Sequence, residues 1–242
     1  MGCGDELAVL ASEPLNCRFI DSLEPVASQL DIARMVVKNL NKTRGSFFSV
    51  QGGTATKLPF PCGQYDRVVA IDCAYHFRTR RAFLLEANRV LKSGGSEETG
   101  RLRAGRIGTV DLAFDWDRVS WPFALIGRFV GSWVAGIPVE NQLNVRQLVA
   151  SFRESGFETD IVVHDISLHV FPGLLMHLEA KQNALLKTGK KSDLSIRALW
   201  LSAFALRLFA LLLYQLFQAG VLSCVTVTAT KGKPAKTSNK LD

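Results

Sequence analysis

The run from Phe47 to Gly95 constrains the fold more than any other part of the chain. Phe47 to Val50 is apolar, breaks at Gly52-Gly53, and is followed by Leu58-Pro59-Phe60. Asp66 opens a second apolar run that ends at Ile71. Arg81 to Leu91 then reads as a helix, closed by Gly94-Gly95. Strand, loop, strand, helix and glycine stop in this order belong to the middle of a parallel α/β sheet. Both runs are nearly continuous in apolar residues, as expected of parallel strands covered on two faces.

The flanking segments extend the pattern. Cys17 to Ile20 reads as a strand, and Pro25 suits the start of a helix carrying Leu30, Ala33, Val37 and Leu40 on one stripe. Strand 106–112 follows. Asn144 caps a helix bearing Val145, Leu148, Val149 and Phe152 that stops at Gly156. Strand 157–165 sets Phe157, Thr159, Ile161 and Val163 on one side. Helices over about 173–187 and 194–219 precede a last β run from Val221 to Ala229. At 242 residues, 48% hydrophobic and 21% charged, the chain suits one globular domain over residues 1–230. Residues 231–242 form a basic, solvated tail.

Gly2-Cys3-Gly4 before a helix allows close backbone approach to a ligand, although two glycines at a helix entry are common without one. Glu24 lies 20 residues beyond Gly4, where nucleoside-binding α/β folds place a carboxylate against ribose. It is also suited to be a first-turn carboxylate favoured by the helix dipole, and Asp21 is the alternative ribose acceptor.

With these residues the chain resembles the class I S-adenosylmethionine-dependent methyltransferases, of the group acting on small metabolites, sterols and quinones. The resemblance implies a Rossmann-like α/β fold: a mostly parallel sheet flanked by helices, with an antiparallel C-terminal strand. It also implies S-adenosyl-L-methionine as cofactor, bound by Gly2, Cys3, Gly4 and Glu24. Gly53-Thr54-Ala55 stands where the family has Gly-Asp-Ala, so Thr54 and Ala55 would meet the adenine, Thr54 without the usual charge. Asp72 and Cys73 correspond to the segment holding the methionine part, though Asp72 also suits a structural strand end. Tyr75 and His76 fall at the active-site mouth and are the catalytic candidates, His76 serving either as a base near neutrality or as a packing residue. Family members have a strand ahead of the glycine loop. The resemblance therefore implies a chain truncated at its start and lacking the first strand of the sheet. Ser96 to Gly105 reads as an inserted loop, because in the family the glycine turn runs almost directly into the next strand.

Trp116, Trp121, Phe123, Phe129 and Trp133 follow the fifth family strand, as core or as a cover over an apolar substrate. His164, His169 and His177 are irregularly spaced, and no carboxylate or histidine grouping has metal-ligand spacing. The net charge of +7 is scattered without an aromatic-interleaved basic stripe, which argues against nucleic acid. Five dispersed cysteines suit a reducing, cytoplasmic setting. Glu6 breaks the myristoylation pattern suggested by Met1-Gly-Cys. Ala198 to Phe217 is long and apolar, but Arg207 argues for a helix packed on the domain over a membrane span. The expectation is methyl transfer to a small apolar molecule. The alternatives are an inactive cofactor-fold binding protein and a membrane-associated lipid or sterol methyltransferase. Peripheral membrane contact is the less favoured reading.

Overall fold

The computed structural model describes residues 9–10, 17, 19–44, 47–94, 104–188 and 207–232. Strands β1 (Phe19–Glu24) and β2 (Phe47–Gly52) pair in parallel, with Glu24 opposite Gly52. Strand β3 (Arg67–Ile71) pairs in parallel with β4 (Arg106–Phe114). Strand β6 (Leu222–Thr230) lies between β4 and β5 (Thr159–Asp165), antiparallel to both. The result is a parallel pair and a mixed sheet of order β3-β4-β6-β5. This is the expected Rossmann-like α/β arrangement with an antiparallel last strand. Among the described residues no ladder joins β1 to β3. A side-chain bond crosses instead, from Tyr65 Oη to Asp21 Oδ2 at 2.7 Å.

Alternation along β4 and β6 separates two cores. On one face, Ile107, Val225, Val227 and Ala229 meet Phe83, Leu84 and Ala87 of helix α2 (Arg80–Val90) and Leu148 and Phe152 of helix α4 (Val145–Glu154). On the other, Phe114, Leu222 and Cys224 meet Trp116 and Phe171, with Ala124, Leu213 and Phe217 packed against them. The latter come from helices α3 (Trp121–Trp133), α5 (Ser167–Thr188) and α6 (207–218). Helix α1 (Ala27–Arg44) covers β2, burying Leu30, Ala33 and Val37 along the predicted stripe.

Local signals set most boundaries. The Thr79 hydroxyl accepts from Ala82 N–H at 3.2 Å and starts α2. Asn144 and Gln147 cap α4 reciprocally, side chain to backbone in both directions, at 2.9 and 3.0 Å. Two expectations need correction. β1 begins at Phe19 and runs to Glu24 rather than spanning 17–20. Its polar residues are carried in the ladder because Asp21 lies opposite Ser49 and accepts a hydrogen bond from its hydroxyl at 2.5 Å. Helix α5 begins at Ser167, not near 173, because Asp165 Oδ1 accepts from Ser167 N–H at 2.8 Å and starts it early. Pro172 lies inside it. Of the long apolar segment from 198, residues 198–206 lie outside the described residues, as do Gly2, Cys3, Gly4 and residues 233–242 of the expected tail. Lys231 and Gly232, expected in that tail, instead bond to Gly105 O and Gly156 O of the domain.

The expected insertion also needs a new boundary. Gly105 N–H donates to Lys92 O at 2.8 Å, and Gly105 O accepts from Lys231 N–H at 2.9 Å. A Cβ at Gly105 would come within 2.9 Å of Leu91, so this glycine belongs to the packed domain. Gly94 and Ala104 are adjacent, a Cβ on Gly94 falling 3.2 Å from that of Ala104. The chain thus leaves and returns at one point, and a loop closing there costs little to shorten. Deleting Ser96 to Arg103 should therefore move the melting temperature by no more than about 2–4 °C, the equivalent of 1 kcal/mol at this size. Extending the deletion through Gly105 should lower it further. Thermal unfolding of the two deletions checks both.

Candidate functional site

Of the predicted cofactor residues, the described ones (Glu24, Thr54, Ala55, Asp72 and Cys73) fall at or just after the carboxyl ends of three strands, where open α/β sheets bind ligands. Glu24 ends β1 and is 3% exposed. Its Oε1 accepts from Val26 N–H at 2.9 Å, holding the entry to α1. Gly52 and Gly53 follow β2. A Cβ on Gly53 would lie 3.0 Å from Leu23 Cδ2, so the close passage of the two strand ends favours glycine there. Thr54 is exposed, and its Oγ1 lies 2.9 Å from Thr56 Oγ1 in a tight turn. Ala55 is partly buried against the main core.

That turn leads into Leu58-Pro59-Phe60, which is clamped by two side chains that sequence reasoning missed. Glu86 Oε2 accepts from Leu58 N–H at 2.7 Å. Arg89 donates to Leu58 O at 2.9 Å and to Phe60 O at 2.8 Å. The two side chains also pair with each other, Arg89 Nε to Glu86 Oε1 at 2.7 Å. Helix α2 thus holds the loop at both a donor and two acceptors. Their spacing of three along a helix was visible, but suggested only a surface ion pair.

After β3 the backbone turns sharply at Asp72, whose φ of 52° is in the left-handed region. Tyr75 Oη donates to Asp72 Oδ1 at 2.7 Å. Burial, and then that bond to a carboxylate, push the Tyr75 hydroxyl well above the usual tyrosine range. The Tyr75 hydroxyl thus keeps its proton and donates it in a hydrogen bond to the Asp72 carboxylate. His76 is exposed, with its ring 4.4 Å from that of Tyr75 and Nδ1 3.3 Å from Gly136 O. A proton on Nδ1 would bond that carbonyl and direct the Nε2 lone pair outward, the tautomer a base requires. Cys73, between Asp72 and the Ala74–His76 turn, is half-buried.

Asn141 fixes this turn from behind. Its Nδ2 donates to Tyr75 O at 3.0 Å and to Phe77 O at 2.6 Å, while its Oδ1 accepts from Arg80 N–H at 3.0 Å. Beneath it, Arg80 Nη2 pairs with Asp111 Oδ1 at 3.0 Å, both side chains almost fully buried. Asp111 Oδ1 also accepts from Leu112 N–H at 2.9 Å. Burial pushes the Asp111 carboxyl up and the Arg80 guanidinium down, and the attraction between them opposes both shifts. An aspartate within the apolar Val110-Asp-Leu112 run was the one sequence sign of this pair. A polar cleft of about 680 Å³ at the carboxyl end of β4 is lined by Asp115, Arg118, Asn144, Asp165 and Ser167, and includes none of the predicted residues. No grouping suited to a metal occurs among the described residues.

The clamp makes a pH prediction. Hydrogen bonding from Arg89 comes first in holding the Glu86 carboxyl below the usual carboxylate range, with Leu58 N–H adding to it. A lowered native value means the carboxylate stabilises the fold fully above the unfolded pKa and loses that contribution as pH falls through the native one. Glu86→Gln should cost about 1.5–3 kcal/mol at neutral pH, the range for hydrogen bonds to a charged group. The gap between variant and wild type should close under acid conditions. Denaturant unfolding of both proteins across pH 3–7 measures it, on about the scale over which carboxylates titrate.

Comparison with known proteins places this arrangement. Residues 1–96 match the methyltransferase domain family. The erythromycin 3''-O-methyltransferase of Saccharopolyspora erythraea is 35% identical over 114 residues, 47% of this chain. The chain spans about a third (35%) of the length of that relative. Among solved structures, phosphoethanolamine N-methyltransferase 2 of Haemonchus contortus in complex with S-adenosyl-L-methionine superposes with a TM-score of 0.66 at 16% identity, over 96% of this chain and 47% of that one. Geranyl diphosphate C-methyltransferase from Streptomyces coelicolor, holding Mg²⁺, geranyl diphosphate and S-adenosyl-L-homocysteine, gives 0.59 at 13% identity, over 95% and 70%. Residues 1–96 match the methyltransferase domain family, and the described part of the chain shares its fold with solved methyltransferases.

Proposed function

We propose that the protein transfers a methyl group from S-adenosyl-L-methionine to a small, apolar acceptor. The observation that carries this reading is the placing of Glu24, Thr54-Ala55 and Asp72-Cys73 at the carboxyl ends of β1, β2 and β3, on a chain with this fold. The bound cofactor supplies an electrophilic methyl group on a sulfonium. Glu24 would accept from the ribose hydroxyls, and Gly52-Gly53 lets the backbone approach closely. Thr54 and Ala55 would face the adenine. Asp72, held by the Tyr75 hydroxyl, and Cys73 would position the methionine part. His76 would take a proton from the acceptor through Nε2, with Nδ1 held by Gly136 O. Gly2, Cys3 and Gly4 complete the set by resemblance. A cytoplasmic location is part of the same reading, suited by five cysteines dispersed along the sequence without a pairing motif.

A second reading, a cofactor-fold protein without activity, rests on Thr54. It brings no charge to the adenine, and its hydroxyl is already engaged with Thr56. Calorimetric titration with S-adenosyl-L-homocysteine, followed by a methyl-transfer assay on a panel of small apolar acceptors, separates the two. Binding without transfer to any acceptor favours the second.

Two substitutions test the assignment. Glu24→Gln keeps an acceptor for Val26 N–H but removes the charge offered to ribose. It should weaken binding by about 1.5–3 kcal/mol, as for hydrogen bonds to a charged group. Unchanged calorimetric affinity would leave Glu24 as a helix-entry residue only. Thr54→Asp places an anionic acceptor in an exposed turn and should tighten binding of the same ligand. Equal or weaker binding would show that this loop does not meet the adenine.

A further inference from the structure

Helix α3 presents its residues in the reverse of the usual order, small ones inward and large ones outward. Toward the domain it turns Ala124, Gly127 and Gly131. A Cβ on Gly127 would fall 2.3 Å from the buried Trp116 ring, and one on Gly131 would fall 3.0 Å from Gln142 Nε2. Outward it turns Leu125, Ile126, Phe129 and Trp133, one helical face, with Trp121 77% and Trp133 81% exposed. Phe129 and Trp133 stack on each other, with centroids 6.3 Å apart. The aromatic segment is therefore core only at Trp116.

Leu168 of α5 and Leu208 and Leu212 of α6 are exposed as well. Helix α3 contains no acidic residue, Arg128 is its one charge, Arg207 opens the described part of α6, and the whole chain carries +7.

We propose that this face docks on the surface of an anionic phospholipid bilayer. Tryptophan at both ends of an apolar helix suits the boundary between headgroups and acyl chains. An apolar face on a positively charged protein combines the two attractions that interfacial helices use. Helix α3 has 13 residues, too few to span a bilayer, so its own mode is lying on the surface. A second copy is the weaker occupant. A 13-residue helix is about 20 Å long and 10 Å wide, short of the roughly 800 Å² per partner of a stable interface. A bilayer needs no matching shape. The docking does not depend on the methyl-transfer reading.

The test is co-sedimentation of the full chain with vesicles of phosphatidylcholine, with and without phosphatidylserine. The protein should sediment with the mixed vesicles, more weakly with phosphatidylcholine alone, and its tryptophan emission should be quenched by brominated phosphatidylcholine. The double variant Phe129→Ser, Trp133→Ser changes only exposed side chains and should keep its melting temperature while its partition falls at least about tenfold. Val69→Ser, an exposed residue of β3, should bind like wild type. No binding of wild type to either vesicle would overturn the proposal, as would equal binding by the double variant or equal loss in Val69→Ser. So would a dimer that the double variant abolishes, seen by sedimentation velocity, in a protein that ignores vesicles.

Discussion

The buried pair of Arg80 and Asp111 is the constraint on which the rest of the site depends. Each side chain is almost wholly out of water, and one bond of 3.0 Å joins them. Removing either partner would leave a buried charge, which typically costs about 3–5 kcal/mol. Arg80 Nε and Nη1 and Asp111 Oδ2 have no further partner, so the pair is costly to bury and its value lies in what it locates. It pins the first turn of α2 to the middle of β4. Through Asn141 the same turn fixes the backbone of Tyr75 and Phe77, and with it the residues proposed to face the methionine part and the acceptor.

Helix α2 therefore serves the site from both ends. Its first turn holds the loop after β3. Its last turns hold the loop after β2, through Glu86 and Arg89. Two loops on either side of β3 are thereby referred to one rigid element, the arrangement a positioned ligand requires. The parallel pair β1–β2 is tied to the larger sheet more lightly, by the Tyr65–Asp21 bond among other contacts. Of the proposed cofactor contacts, those at Glu24 and Thr54 stand on this smaller unit.

The opposite face of the sheet is organised differently. Trp116, Phe171, Phe217 and Leu222 make a tight second core, yet helix α3 over it keeps its bulkiest side chains outside. Glycine at 127 and 131 lets α3 approach closely without its aromatics. Large apolar area left in water is unfavourable by roughly 25 cal/mol per Å², so a face of this kind calls for a partner surface.

Much of the architecture was legible in the residues. Continuous apolar runs marked β2 and β3, Asn144 marked the start of α4, and the stripe Leu30-Ala33-Val37 marked the buried side of α1. These features depend on neighbours within a few residues, which is why periodicity and capping chemistry reveal them. The resemblance likewise indicated the strand ends that carry Glu24, Thr54 and Asp72. What the sequence could not decide involves partners distant along the chain. Glu86 meets Leu58 across 28 residues, Asn141 meets Tyr75 across 66, and Gly105 packs on Leu91 within what read as a disposable loop. The orientation of α3 is the clearest case. Its composition fits core and surface equally, and the close packing of Gly127 on Trp116 decided which side faces water.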